Sequence, residues 1–209
     1  MSESSASSPY EAVLGDSLDG LHPRLRAYFG AIPAGHSGHG HGVFDTVGTP
    51  RRWLRPLIRL CAGGDILFPV WERSVPFSLV NSPTRAAGRS AVAAVRTFHF
   101  TSGDRVMVDL IAATEDGLVD FLGSRRRFEA RFSSRVSDGA LTMNSTLVHI
   151  RVGRLRLRVP GPLAPCVSLI ERFDEVSGRQ HVAVNVTMPL FGRVYEYAGH
   201  FRYDVRAGE

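Results

Sequence analysis

From Ile66 to the end of the chain, apolar and polar residues alternate with a period of two, the pattern of strands with one wet and one dry face. The strands this predicts are ILFPVW, VPFSLVN, SAVAAVRTFHF, DRVMVDLIAA, GLVDFLGS, RFEARFSSRVS, ALTMNSTLVHIRV, RLRLRVP, CVSLIERFDEV, QHVAVNVTMPL and GRVYEYAGHFRYDV. Turn signals join many of them: Ser102-Gly103-Asp104, Asp138-Gly139, Val152-Gly153-Arg154 and Ser177-Gly178-Arg179. Hairpin follows hairpin with no helix between, and a meander of that length must curl or close to hide its edges. The expected fold is mainly β: an antiparallel meander closing into a β-barrel-like domain, calycin-like or related, with two short N-terminal helices.

Those helices are read at Leu21–Gly30, with Leu21, Leu25 and Tyr28-Phe29 on one side, and at Pro50–Ala62. The second has Trp53, Leu57, Leu60 and Cys61 on its apolar side, Pro56 to bend it and Gly63-Gly64 to end it. The Gly- and His-rich stretch between them reads as a flexible loop. Residues 1–20 read as a disordered polar tail, and residues 21–209 as a single β-rich domain.

An apolar fraction of 44% supports a sizeable core. No stretch approaches the ~20 apolar residues needed to span a bilayer, and the start lacks the parts of a secretory signal. A cytoplasmic location is expected. Cys61 and Cys166 stand apart among apolar residues and read as buried small hydrophobes. All 25 basic residues are arginine. Without lysine there is no Schiff base, no P-loop lysine and no lysine general base. The arginines of VGRLRLRVP alternate with Leu155, Leu157 and Val159, as on a solvated strand face, and no nucleic-acid-binding spacing is present, so no nucleic-acid partner is expected. Nor is there a Gly-x-Gly-x-x-Gly after a strand, a Gly-x-Ser-x-Gly or a Cys-x-x-Cys. No cofactor is expected.

Seen together, VGTPRRWLRPLIRL, ILFPVWERSVPFSLVNSP, RTFHF, SDGALTM, RLRLRVPGPLAP and GRVYEYAGHF resemble an uncharacterised bacterial family, the domain of unknown function 4166. The likeness covers roughly Leu21 to Tyr203. It implies a fold unit and transfers no catalytic residue.

Candidate chemistry therefore comes from the residues. His36, His39 and His41 in HSGHGHG have a spacing that can gather on one metal, but only Asp45 is near enough in sequence to support them. A loop that takes up nickel or zinc adventitiously is the reading adopted, and no metal is expected. Carboxylates on dry faces are more informative: Glu171 among Val167, Leu169 and Phe173, and Asp109 between Met107 and Ile111. An enclosed carboxyl has its pKa raised and can donate a proton near neutrality. The alternative is pairing with an inward arginine such as Arg96 or Arg172. The last strand sets Tyr195, Tyr197, Gly199 and Phe201 on one face. With Trp71, Phe98 and Phe100 these aromatics line a ligand cavity if the barrel is hollow, and form core if it is filled. The candidate catalytic residues are thus Glu171, Tyr197, Tyr195 and Asp109; those for substrate binding are Trp71, Phe98, Phe100 and Phe201. The expected partner is an apolar small molecule, and a homodimer is compatible with the pattern. By elimination the function is a cofactor-independent cyclase, for cyclisation or cycloaddition of a polyketide-like substrate, or a non-catalytic carrier of a lipid-like or polyketide-like ligand.

Overall fold

The computed structural model of the chain describes residues 7–61, 65–152 and 155–208, with every side chain but those of Cys61, Val152 and Pro162. The turn expected at Val152-Gly153-Arg154 and the glycine stop at Gly63-Gly64 lie outside the described residues.

Eleven strands follow one another: β1 (His36–Gly48), β2 (Trp71–Ala86), β3 (Arg89–Phe100), β4 (Gly103–Thr114), β5 (Gly117–Leu122), β6 (Phe128–Ser137), β7 (Ala140–Val152), β8 (Leu155–Arg158), β9 (Cys166–Asp174), β10 (Arg179–Met188) and β11 (Gly192–Ala207). They form one sheet in the order β6-β5-β4-β3-β2-β1-β11-β10-β9-β7-β8, and β6 also pairs with β7. That last pairing closes an antiparallel ten-strand barrel. The eleventh strand, β8, lies beside the barrel. The start of β7 pairs with β9, Leu141 facing Glu171, while its end pairs with β8, His149 facing Arg158.

Two helices plug one end of the barrel, α1 (Pro9–Leu14) and α2 (Pro23–Phe29), joined by a 3-10 turn over Gly15–Gly20. The polar tail expected over residues 1–20 is thus corrected from residue 9 onward. The cause is legible in Ser8-Pro9-Tyr10-Glu11, a capping box with proline at its first helical position. The Ser8 hydroxyl accepts from the Glu11 amide, and the Glu11 carboxylate accepts from the amides of Ser8 and Ala31. Ser8 also donates to the Phe29 carbonyl at 2.5 Å, which fixes α1 against the end of α2. Tyr10 then packs on Phe29, and Tyr28 meets Phe201 and Tyr203 edge-on inside the barrel.

β1 corrects the flexible loop read at HSGHGHG. Gly38, Gly40 and Gly42 face the interior, where aromatic side chains of β11 and Leu79 of β2 take the room that side chains of β1 would need. A Cβ on Gly38 would lie 1.6 Å from the Tyr203 hydroxyl, and one on Gly42 would lie 2.1 Å from the His200 carbonyl oxygen. Aromatic rings laid across glycines in a neighbouring strand restore the packing that glycine forfeits. Above them Phe44 stacks on Phe77 at 3.8 Å and on Phe98 at 5.2 Å.

At the opposite end, Arg52–Leu54 is a 3-10 turn and α3 runs Arg55–Cys61, with Pro56 accommodated in its first turn. That start rotates the expected face. Leu54 and Ile58 are buried, whereas Trp53, Leu57 and Leu60 are exposed. The strand expected at ILFPVW reduces to Trp71; Ile66 and Phe68 instead descend as buried plugs from an irregular segment. Cys166 is exposed at the start of β9, not buried.

Candidate functional site

The interior divides into a filled half and a hollow half. Towards α1 and α2 it is packed with aromatic rings. Towards α3 it opens into a cavity of about 340 Å³. The wall includes Met107, Phe128, Phe132, Val148, Leu169 and Val184, and the mouth lies between Leu57 of α3 and Leu163 of the segment after β8. A cavity this large and this apolar accommodates a small hydrophobic ligand.

Three polar side chains reach the lining: Asp120, Tyr195 and Tyr197. The Tyr195 hydroxyl accepts from the Phe68 amide at 3.3 Å, so this phenol is engaged in holding the 66–70 segment. Burial pushes the Tyr197 phenol up to about 12, with Arg96 opposing, so it is a neutral donor at any ordinary pH. Asp120 is the unexpected member. Leu118, Asp120 and Leu122 alternate along β5, the same interruption of a dry face that singled out Asp109 and Glu171, and that signal was available in GLVDFLGS.

Beneath Asp120 lies an ionic layer. Arg96 of β3 forms an ion pair with Asp109 of β4, both enclosed. The pairing anticipated for Asp109 with an inward arginine is the one found. Asp120 Oδ1 and Asp109 Oδ2 are buried without a hydrogen-bond partner among the described residues. Desolvation raises both carboxyls. Asp120 is raised much further, because the Asp109 charge adds to burial while Arg96 only partly opposes it. One guanidinium faces two carboxyls, and it can hold only one of them ionised. Asp109 carries the charge that matches Arg96, and Asp120 is the carboxyl that burial and the Asp109 charge push towards its protonated form.

Glu171 is inward and buried but does not reach the cavity wall. Gln180 donates to it at 2.5 Å, and burial pushes its carboxyl up to about 7 against the opposing pull of Gln180 and Arg96. Phe98, Phe100 and Phe201 are buried core that does not line the cavity, Phe98 and Phe100 packing on Phe68; Trp71 is half-exposed at the start of β2 and does not line it either. The residues read from the sequence as one wall therefore split into two groups. His36 falls on the opposite face of β1 from His39 and His41, since successive side chains of a strand alternate. No group of three or more His, Cys, Asp or Glu suited to a metal occurs among the described residues.

A family model described as a domain of unknown function (DUF4166) matches residues 21–201. The chain belongs to the DUF4166 family. No curated protein and no solved structure matches it. For this DUF4166 member, then, the cavity and its polar floor carry the functional argument. No helix among the described residues is long and apolar enough to cross a membrane.

Proposed function

We propose that the protein binds an apolar, carbonyl-bearing small molecule in the barrel and catalyses its cofactor-independent cyclisation, with a polyketide-like chain as the substrate class. The observation that carries this reading is Asp120: a carboxyl facing an otherwise apolar cavity, with one buried oxygen unpartnered among the described residues, and pushed towards its protonated form by burial and the Asp109 charge. Such a group donates to a ligand oxygen at little reorganisation cost, and the low-dielectric surroundings strengthen that bond. The walls fold the chain so that an enol carbon approaches a carbonyl carbon. As the carbon–carbon bond forms, the carbonyl oxygen takes the Asp120 proton and becomes a hydroxyl. The enol oxygen becomes a carbonyl and its proton returns to Asp120, so the residue is regenerated. Tyr197 shares the developing charge as a second donor. Arg96 and Asp109 act through Asp120 as positioning residues that bias its protonation.

The test uses linear poly-β-ketone thioesters as surrogate substrates, with chromatography and mass spectrometry of the cyclised isomers. The parent should accelerate ring closure over buffer. Asp120→Asn should lower the rate about 10²–10³-fold, and Tyr197→Phe somewhat less, with melting temperature nearly unchanged. No acceleration across the panel, with binding of the apolar ketone dye Nile red retained, would leave the protein a carrier.

A further inference from the structure

The end of the barrel that holds the cavity mouth has an unusual surface. Seven of the thirteen large apolar side chains exposed among the described residues gather there: Trp53, Leu57 and Leu60 on and before α3, Leu155 and Leu157 on β8, and Leu163 and Leu190 on neighbouring connections. Leu60 is 81% exposed and Leu155 65%. The dry face expected for β8 is therefore not covered by the protein. Scattered apolar residues on a surface need no explanation, but a group concentrated around one opening does.

The charge around them is as lopsided. The connections at this end with their flanks, described residues 49–61, 65–70, 101–104, 123–127, 151–152, 155–165 and 189–193, contain eleven of the 25 arginines and two acids, Asp65 and Asp104. The Asp65 carboxylate is itself occupied by the amide and hydroxyl of Ser124. At the plugged end the charges are mixed: Asp16, Asp19, Asp116, Asp138 and Glu175 stand among Arg24, Arg26, Arg85, Arg89, Arg179 and Arg206, and Arg26 is paired with Asp19 and Arg89 with Glu115. The molecule is thus uneven along the barrel axis, strongly basic at the mouth and nearly balanced at the plug.

We propose that the mouth end docks on an anionic lipid surface, with the arginines on headgroup phosphates and the leucines and Trp53 at the acyl boundary. Guanidinium groups grip phosphate in a fork, tryptophan settles at the membrane interface, and a basic rim around apolar residues is the composition of an interfacial anchor. A second copy fits less well, because mouth-to-mouth contact would set arginines against arginines. Leu57 and Leu163 are rim and cavity wall at once, so docking joins the acyl region to the cavity by a continuous apolar path. An apolar ligand then passes between bilayer and barrel without crossing water. The inference goes beyond the proposed reaction and does not depend on it.

The test is flotation of the full chain with vesicles of phosphatidylcholine alone or with about 30 mol % phosphatidylglycerol, at low and high salt. Binding should require the anionic lipid and weaken with salt. Charge reversal at three exposed rim positions, Arg52→Glu with Arg59→Glu and Arg125→Glu, should lower partitioning about 100-fold or more. Trp53→Ser with Leu60→Ser should also lower it, whereas Arg85→Glu with Arg89→Glu at the plugged end should not. Circular dichroism checks that each variant folds, and Nile red binding in solution should be the same in all of them, which separates this test from that of the cavity. Equal binding to both vesicles, no binding, or binding indifferent to the rim substitutions overturns the proposal. A dimer in light scattering that the rim substitutions dissociate, without vesicle binding, assigns the face to a second copy instead.

Discussion

At the scale of the residue, the interior carries more acid than its one guanidinium can neutralise, and this has a consequence for stability. In the folded protein Glu171 titrates at about 7, against 4.5 for the free side chain. Between those values the folded chain keeps a proton that the unfolded chain has released. Its contribution is therefore complete below about pH 4.5, declines as the pH rises, and is lost once the pH has passed about 7. The fall amounts to about 3 kcal/mol. Glu171→Gln removes the ionisable group and keeps an acceptor for Gln180. Urea unfolding at pH 5 and at pH 8 should show the parent losing about 2.5 kcal/mol more than the variant over that interval. Parallel losses would mean that Glu171 is ionised in the fold at neutral pH. The same excess of acid explains what was legible here. Asp109, Glu171 and Arg96 announce themselves as polar residues on apolar faces, and the structure encloses all three. That none of the three reaches the cavity while Asp120 does was not legible, because alternation fixes the face of a strand and not the height along the barrel at which packing stops.

At the scale of the element, ten of the eleven strands lie where alternation put them, and the exception is instructive. The first half of β1 has no alternation to read: its inward positions Gly38, Gly40 and Gly42 are glycines, and the apolar groups that fill that face belong to β11 and Leu79 of β2. Gly42→Ala should therefore cost more than loss of backbone freedom alone, since its Cβ would press on the backbone of β11, at the His200 carbonyl and at 2.7 Å from the Phe201 Cα. We expect at least 3 kcal/mol from denaturant unfolding, or failure to fold. Gly88→Ala is the control, a hairpin glycine with φ +78 and nothing within 4 Å of the added carbon, which should cost only about 1 kcal/mol. Comparable costs at the two positions would contradict the close approach of β1 and β11. The helices mislead for another reason. α1 was written in its capping box but hidden in a polar run, and the apolar side assigned to α3 assumed a helix beginning before Arg55.

At the scale of the whole molecule, the barrel is half core and half container. Space of about 340 Å³ left unfilled by side chains forgoes on the order of 8 kcal/mol of packing, as much as many domains possess in total. Ala130 is buried on the cavity wall. Ala130→Trp should project into the opening, raise the melting temperature and abolish Nile red binding. In a tightly packed interior the same substitution would destabilise by about 1–3 kcal/mol, so a lowered melting temperature would count against the hollow half. The seam of the barrel bears on how the chain is made. Every other ladder of the closed ring joins neighbours along the chain, or, for β7 and β9, strands separated only by β8, and can form while synthesis continues. The ladder from β1 to β11 must wait for nearly the whole polypeptide, and so distant a closure is slow. During that interval one edge of β1 stands open on the ribosome to any passing strand. Segments that pair promiscuously are apolar and poor in glycine. HSGHGHG is neither, so the glycines that later admit the β11 aromatics also protect the nascent chain while it waits for its last strand.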